Sequence, residues 1–158
     1  MKIKSDFITN SSSSSFIVGF SKIPSSEEEV LAELFPNDRS DFRYYEYVYP
    51  VCDIAHTVWA DIQQQAPNNF EAIEEEFKES VYIDFYEFKL PDGKYDWKAH
   101  GKKFEKVAEE EWLKFKQTMN KDKAYFIFEY CDNDGEYFST LEHGDIFRNV
   151  ENYRNSKH

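Results

Sequence analysis

Asn10-Ser11-Ser12-Ser13-Ser14-Ser15-Phe16-Ile17-Val18-Gly19-Phe20 sets five consecutive serines directly against an apolar run. A serine run inside a tail behaves as a flexible linker, but this one leads into bulky residues of high β propensity. Residues 16–20 therefore predict a buried strand, with the hydroxyls held at its entrance and residues 1–15 as an extended N-terminal segment. The rest of the fold is read outward from that strand.

Downstream, Ser25-Ser26-Glu27-Glu28-Glu29 carries a capping-box pattern, Ser25 with Glu28 or Ser26 with Glu29, ahead of the apolar face of Val30, Leu31, Leu34 and Phe35. Pro36 ends that helix. The aromatic stretch 42–49 reads as a strand, and Pro50 opens a helix to about Gln65 with Val51, Ile54, Ala55, Val58, Trp59 and Ile62 on one face. Asn68 or Asn69 caps a further helix in which Phe70, Ile73 and Phe77 pack. Residues 81–90 alternate imperfectly and predict a strand, and the turn signal Pro91-Asp92-Gly93 follows. Phe104, Val107, Ala108, Trp112, Phe115 and Met119 lie at helical spacing over about 97–119. Residues 124–131 predict a central strand, and Asp132-Asn133-Asp134-Gly135 predicts a turn back into a strand over 136–141. A short helix or turn over 145–150 and a polar tail at 154–158 close the chain. This succession predicts an α+β fold: one domain over 1–158, with a largely antiparallel sheet and three to four helices packed on it.

The 158 residues suffice for one domain with a real core, and an aromatic fraction of 18% means that Phe and Tyr supply much of it. No segment approaches the roughly 18 apolar residues that cross a membrane. Met1-Lys2-Ile3-Lys4-Ser5-Asp6-Phe7 lacks the uninterrupted apolar core of a secretory signal, so a cytoplasmic protein is expected. Cys52 and Cys131 have no metal-ligand spacing and lie in apolar segments, which predicts free, buried thiols.

The formal charge of -12 is segregated: +2 over 1–24, -13 over 25–92 and -1 over 93–158. Such an acidic excess repels nucleic acid and anionic lipid and favours basic partners. Glu71, Glu74, Glu75 and Glu76 supply a run of acids, and Tyr45 and Tyr47 can anchor an interface.

Two constellations could carry chemistry. A serine of the run, Ser13 or Ser14, could serve as a nucleophile if a base came within hydrogen-bond reach, and a separation beyond about 10 Å from His143 would exclude it. The run lacks the glycines and lysine of a nucleotide-binding loop. In Glu142-His143-Gly144-Asp145, His143 with Asp145 offers a base or ligand, whereas Glu142 as a strand neighbour would point to the opposite face. Asp132, Asp134 and His143 form a candidate set for a hard divalent cation, although the full twelve-residue calcium loop is not met. No cofactor is otherwise expected. His56 and His100 read as surface or structural histidines.

The opening Phe7-Ile8-Thr9-Asn10-Ser11-Ser12-Ser13-Ser14-Ser15-Phe16-Ile17, taken with Asp132-Asn133-Asp134-Gly135 and Leu141-Glu142-His143-Gly144-Asp145-Ile146-Phe147, resembles a diffuse group of uncharacterised small proteins of bacteria, phages and other mobile elements. The resemblance leaves about two-thirds of the chain uncovered. It implies a bacterial or phage cytoplasmic setting and no catalytic assignment. The function expected from the residues is a small acidic interaction protein, phage-encoded, that binds a basic surface of a host protein as an inhibitor or regulator. The alternative is a hydrolase or a metal- or ligand-binding protein built from Ser11–Ser15 and the 132–145 segment.

Overall fold

A computed structural model describes residues 13–38 and 40–157. The fold is α+β, with antiparallel sheets and five α-helices among the described residues. Two compact units are present: residues 13–68 with 122–157, and residues 69–121. No described helix is long and apolar enough to cross a membrane.

The first unit is organised around β1 (Ser13–Phe20), which starts inside the serine run. It is the middle strand of a three-stranded antiparallel sheet, between β4 (Ala124–Cys131) and β5 (Glu151–Lys157). Ser11 and Ser12 lie outside the described residues. One face of β1 carries Ser14, Phe16, Val18 and Phe20, and the register sets Phe16 beside Phe128 and Val18 beside Phe126. The apolar ones form the core with Val30 and Leu34 of α1 (Glu27–Leu34), Val51, Ile54, Ala55, Val58 and Ile62 of α2 (Val51–Gln63), and Leu141, Ile146 and Phe147. Each fully buried Val, Leu, Ile or Phe side chain among them contributes about 1.5–3 kcal/mol of transfer free energy.

Local chemistry sets the helix ends. Ser26 Oγ accepts from Glu29 N at 3.2 Å, while Glu29 Oε2 accepts from Ser25 N at 2.7 Å, so both serines take part in the cap. The bond from the Ser25 backbone first, and then those from the Lys22 ammonium and the Ser25 hydroxyl, hold the Glu29 carboxyl down at about 2. The aromatic stretch 42–49 is broken by a two-residue turn into the hairpin β2 (Asp41–Tyr44) and β3 (Tyr47–Pro50), with Tyr44 paired to Tyr47.

In the second unit, Asn69 caps α3 (Phe70–Lys78) by accepting from Ala72 N at 2.9 Å. Phe77 packs against Trp112 and Phe115 of α4 (Trp97–Thr118). The strand expected over 81–90 does not form. Asp84 Oδ1 accepts from Tyr86 N at 2.9 Å and turns the chain into a 3-10 helix over Phe85–Phe88, a side-chain to backbone bond that competes with strand pairing.

Two corrections concern the C-terminal part of the first unit. The strand expected over 136–141 is instead the helix α5 (Glu136–His143), preceded by a 3-10 turn over Asp132–Asp134. Gly135, at φ 118° and ψ 177°, adopts a backbone conformation open in practice only to glycine, and it redirects the chain into the helix. Tyr137 Oη donates to the Asp53 carbonyl at 3.0 Å and lies 2.6 Å from Thr57 Oγ1, which ties α5 to α2. The expected polar tail at 154–158 is largely β5, which pairs with β1 from Glu151 to Lys157 and so completes the sheet. The cysteines are free, as expected, but Cys52 is exposed on the outer side of α2 and Cys131 is half-buried at the end of β4.

Candidate functional site

At the end of the sheet where the serines enter, β1, β5, α5 and the 3-10 turn converge. Register places Phe16 opposite Arg154 and Ser14 opposite Ser156, so Arg154 shares the inner face of the sheet with Ser14 and Phe16. Its guanidinium lies 5.8 Å from the centroid of the Phe16 ring. Nε and Nη2 both donate to Ser14 Oγ, at 3.1 and 3.0 Å. Nη2 also reaches His143 Nδ1 at 3.2 Å.

Because Arg154 can only donate, His143 Nδ1 accepts and carries no proton. The ring proton is then on Nε2, which faces Glu142 Oε2 at 2.5 Å and Asp132 Oδ2 at 3.6 Å. Glu142 is buried, and its position on α5 rather than on a strand brings its carboxylate to the neighbouring ring. Gly144 follows at once because a Cβ there would stand 2.5 Å from the Thr140 carbonyl. Tyr44, on β2, feels the same charges. Its hydroxyl is raised above the usual tyrosine value, first by burial, then by Tyr45 and Glu142, with Arg154 opposing.

The two ends of the chain therefore meet. One guanidinium nitrogen joins Ser14 to His143 and holds them well inside the 10 Å limit. The chemistry differs from that of a nucleophile and its base. Ser14 is fully buried, its oxygen accepts two bonds from a cation, and the histidine nitrogen nearest to it is occupied by that same cation. Ser13 is half-buried and its Cα faces Cys131 and Lys157 across the sheet. Asp145 is exposed at φ 59° in the turn beyond Gly144, and the carboxylates at His143 are Asp132 and Glu142 instead.

Asp132, Glu142 and His143 each present a ligand atom within 4.8 Å of the others, a set in which Glu142 replaces the expected Asp134. A metal on Nε2 needs that nitrogen unprotonated, which moves the ring proton to Nδ1, opposite a donor of Arg154. The hydrogen bonds thus match a closed polar network better than a cation site. Asp134 is exposed and lines a separate groove between α2 and β4.

Of the expected partner contacts, Tyr45 and Tyr47 belong to the first unit and the four glutamates to α3 in the second. Tyr45 is 77% exposed, whereas Tyr47 is half-buried. Glu71 and Glu75 are exposed, Glu74 pairs with Lys78 at 2.6 Å, and Glu76 is half-buried.

Sequence reasoning missed Arg154, Glu142 and Asp61. Arg154 sat in an assumed tail, and Glu142 was assigned to the wrong face by a strand reading. Asp61 carried a usable signal, an acid three residues after Val58 and seven after Ile54 on the apolar face of α2. No protein-family model, curated protein or solved structure matches this chain.

Proposed function

We propose that this chain is a protein-binding module that engages a basic surface on a partner protein, in the bacterial or phage cytoplasmic setting that the resemblance of its termini implies. Tyr45 carries this reading. It sits at the tip of the β2–β3 hairpin at φ 52°, a left-handed backbone conformation that is costly for a bulky side chain and free for glycine. Tyr45 is 77% exposed, and its ring packs edge-on against Tyr44 at 4.7 Å between centroids. A strained residue that presents an aromatic ring to solvent at a turn is accounted for by binding rather than by folding.

The charge supports the same reading. The excess of -13 over 25–92 includes the exposed Glu71 and Glu75, charges of the sign that steers a basic partner. The buried, cation-bound state of Ser14 removes the main support for a hydrolase.

The test is capture of host proteins on the immobilised chain at low and high salt. Wild type should retain a basic protein at low salt and release it at high salt. Tyr45→Gly should weaken retention while changing stability by no more than about 1 kcal/mol. Glu71→Lys with Glu75→Lys should also weaken it. Retention indifferent to salt and to both sets of changes refutes the reading, as does unfolding of Tyr45→Gly, which would make the tyrosine structural.

A further inference from the structure

This acidic chain carries a locally basic, aromatic surface in its second unit. Residues 89–106 hold Lys89, Lys94, Lys98, Lys102, Lys103 and Lys106 against Asp92, Asp96 and Glu105, a net +3 within a chain of net -12. The backbone folds back on itself here: Asp96 N donates to the Phe88 carbonyl at 2.9 Å and Leu90 N to the Lys94 carbonyl at 2.7 Å. Those bonds set the 3-10 helix over Phe85–Phe88 beside the start of α4, and four rings meet there. Phe85 stacks on Tyr86 at 4.6 Å between centroids with 27° between planes and meets Tyr95 edge-on at 5.2 Å. Trp97 lies 6.0 Å from Phe85 and 5.3 Å from Tyr95. Although they are gathered together, the rings remain in water: Tyr86 is 65% exposed and Trp97 60%.

The nearby carboxylates are engaged in the local fold. Asp84 Oδ1 accepts from Tyr86 N, Asp92 Oδ1 from Lys94 N at 2.9 Å and Asp96 Oδ1 from Ala99 N at 3.1 Å, and Glu87 pairs with Lys103 at 2.7 Å. Lys89, Lys94, Lys98 and Lys102 are exposed and make no ion pair among the described residues. Lys98, Lys102 and Lys106 fall at every fourth position and form one stripe of α4 that starts next to Trp97. The glutamates of α3 lie along the other half of that helix. Lys116 stands 5.5 Å from the Phe70 ring and Lys78 pairs with Glu109 at 2.6 Å, so α3 runs beside residues 109–116. From Trp97 to Glu109 α4 rises about 18 Å, more than the screening length of about 8 Å at physiological ionic strength.

We propose that this surface binds a single strand of nucleic acid, with bases stacked on Tyr86 and Trp97 and phosphates held by Lys94, Lys98 and Lys102. Exposed rings offer faces on which any base can lie, and unpaired ammonium groups beside them attract the backbone. A carbohydrate would use the rings and leave the lysines without a role. An acidic protein segment would use the lysines and leave the rings without one, and a duplex hides its base faces. A single strand uses both. The net charge of the chain implies the opposite, but a ligand meets the charges within a screening length of its site, and those sum to a positive field here. The assignment stands apart from the capture of a basic partner through Tyr45.

The experiment titrates the full chain into a fluorescein-labelled oligo-dT of about 12 nucleotides, within the span of one single-strand site, with oligo-rU, a duplex of the same length and poly-glutamate as parallel arms. Anisotropy reads binding. Tryptophan emission reads its place, because Trp97 is exposed while Trp112 is buried and Trp59 half-buried. A single strand should bind and quench that emission, and the tighter of oligo-dT and oligo-rU names the source. Trp97→Ala and Tyr86→Ala should each weaken binding about tenfold. Lys98→Gln with Lys102→Gln should make the slope of log affinity against log salt shallower by about 1.4, a readout that a merely structural role would not move. Should a ring variant unfold, the lysine pair decides. Failure of both single strands to bind at low salt, duplex or poly-glutamate matching them, or a lysine pair with unchanged slope would each overturn the assignment. Partner capture through Tyr45 without strand binding overturns this assignment alone.

Discussion

The Ser14–Arg154–His143–Glu142 network and the Asp61 groove lie in the same unit and are built from the same kinds of residue, yet one is closed and the other open. In the network, Ser14 and Glu142 are buried beneath a half-buried His143 and an exposed Arg154, and the hydrogen bonds run in a chain from hydroxyl to guanidinium to imidazole to carboxylate. In the groove, Asp61 is half-buried with one specific partner, and Glu129 and Asp134 face solvent. Polar groups that complete one another inside a protein hold it together, whereas a partly satisfied carboxylate at a surface groove can gain from an incoming ligand.

That contrast can be broken by mutation. His143→Ala should have the largest effect, because it strips a ring donor from a buried carboxylate; a loss of about 3 kcal/mol in urea unfolding is expected. A loss below about 1 kcal/mol would show that the network is not closed. Arg154→Met keeps the apolar stem over Phe16 but removes the bonds to Ser14 and His143, and it should cost about 1–2 kcal/mol. An equal loss from Arg154→Lys would assign the effect to geometry rather than to charge.

Asp61→Asn should move the other way. The folded chain holds the Asp61 proton more tightly than the unfolded chain, whose value is the ordinary 3.8, so folding takes up protons between the two values. Stability therefore falls as pH rises through that window, and the penalty stands in full above the raised value. The asparagine variant should be slightly more stable than wild type at pH 7 and lose that advantage below pH 3.8. Thermal melts at both pH values check it, and a variant less stable at pH 7 would place Asp61 with the closed network.

How much of this was legible depended on whether local signals agreed with tertiary context. The apolar periodicity of 51–62 and 104–119 marked α2 and α4, because a helical stripe that wide has few competing readings. Glu136-Tyr137-Phe138-Ser139-Thr140-Leu141 misled, since its aromatic and hydroxyl residues favour strands and the preceding Asp-Asn-Asp-Gly resembles a hairpin turn. Tyr137 docking on α2 and burial of Leu141 override that propensity. With the helix comes the Glu142–His143 contact, so one misread element concealed part of the site.

By itself the sequence determined the α+β class, a buried strand at Phe16, the capped first helix, the two broad amphipathic helices and the segregation of charge, because each follows from side-chain spacing within a dozen residues. Tertiary structure decided that the polar C-terminal residues pair with the serine strand, that Arg154 separates Ser14 from His143, and that Asp61 and Asp134 share a groove. Those outcomes depend on which strand lies beside which. The residues that meet at Ser14 come from positions about 140 apart in the chain, where no local pattern records the contact.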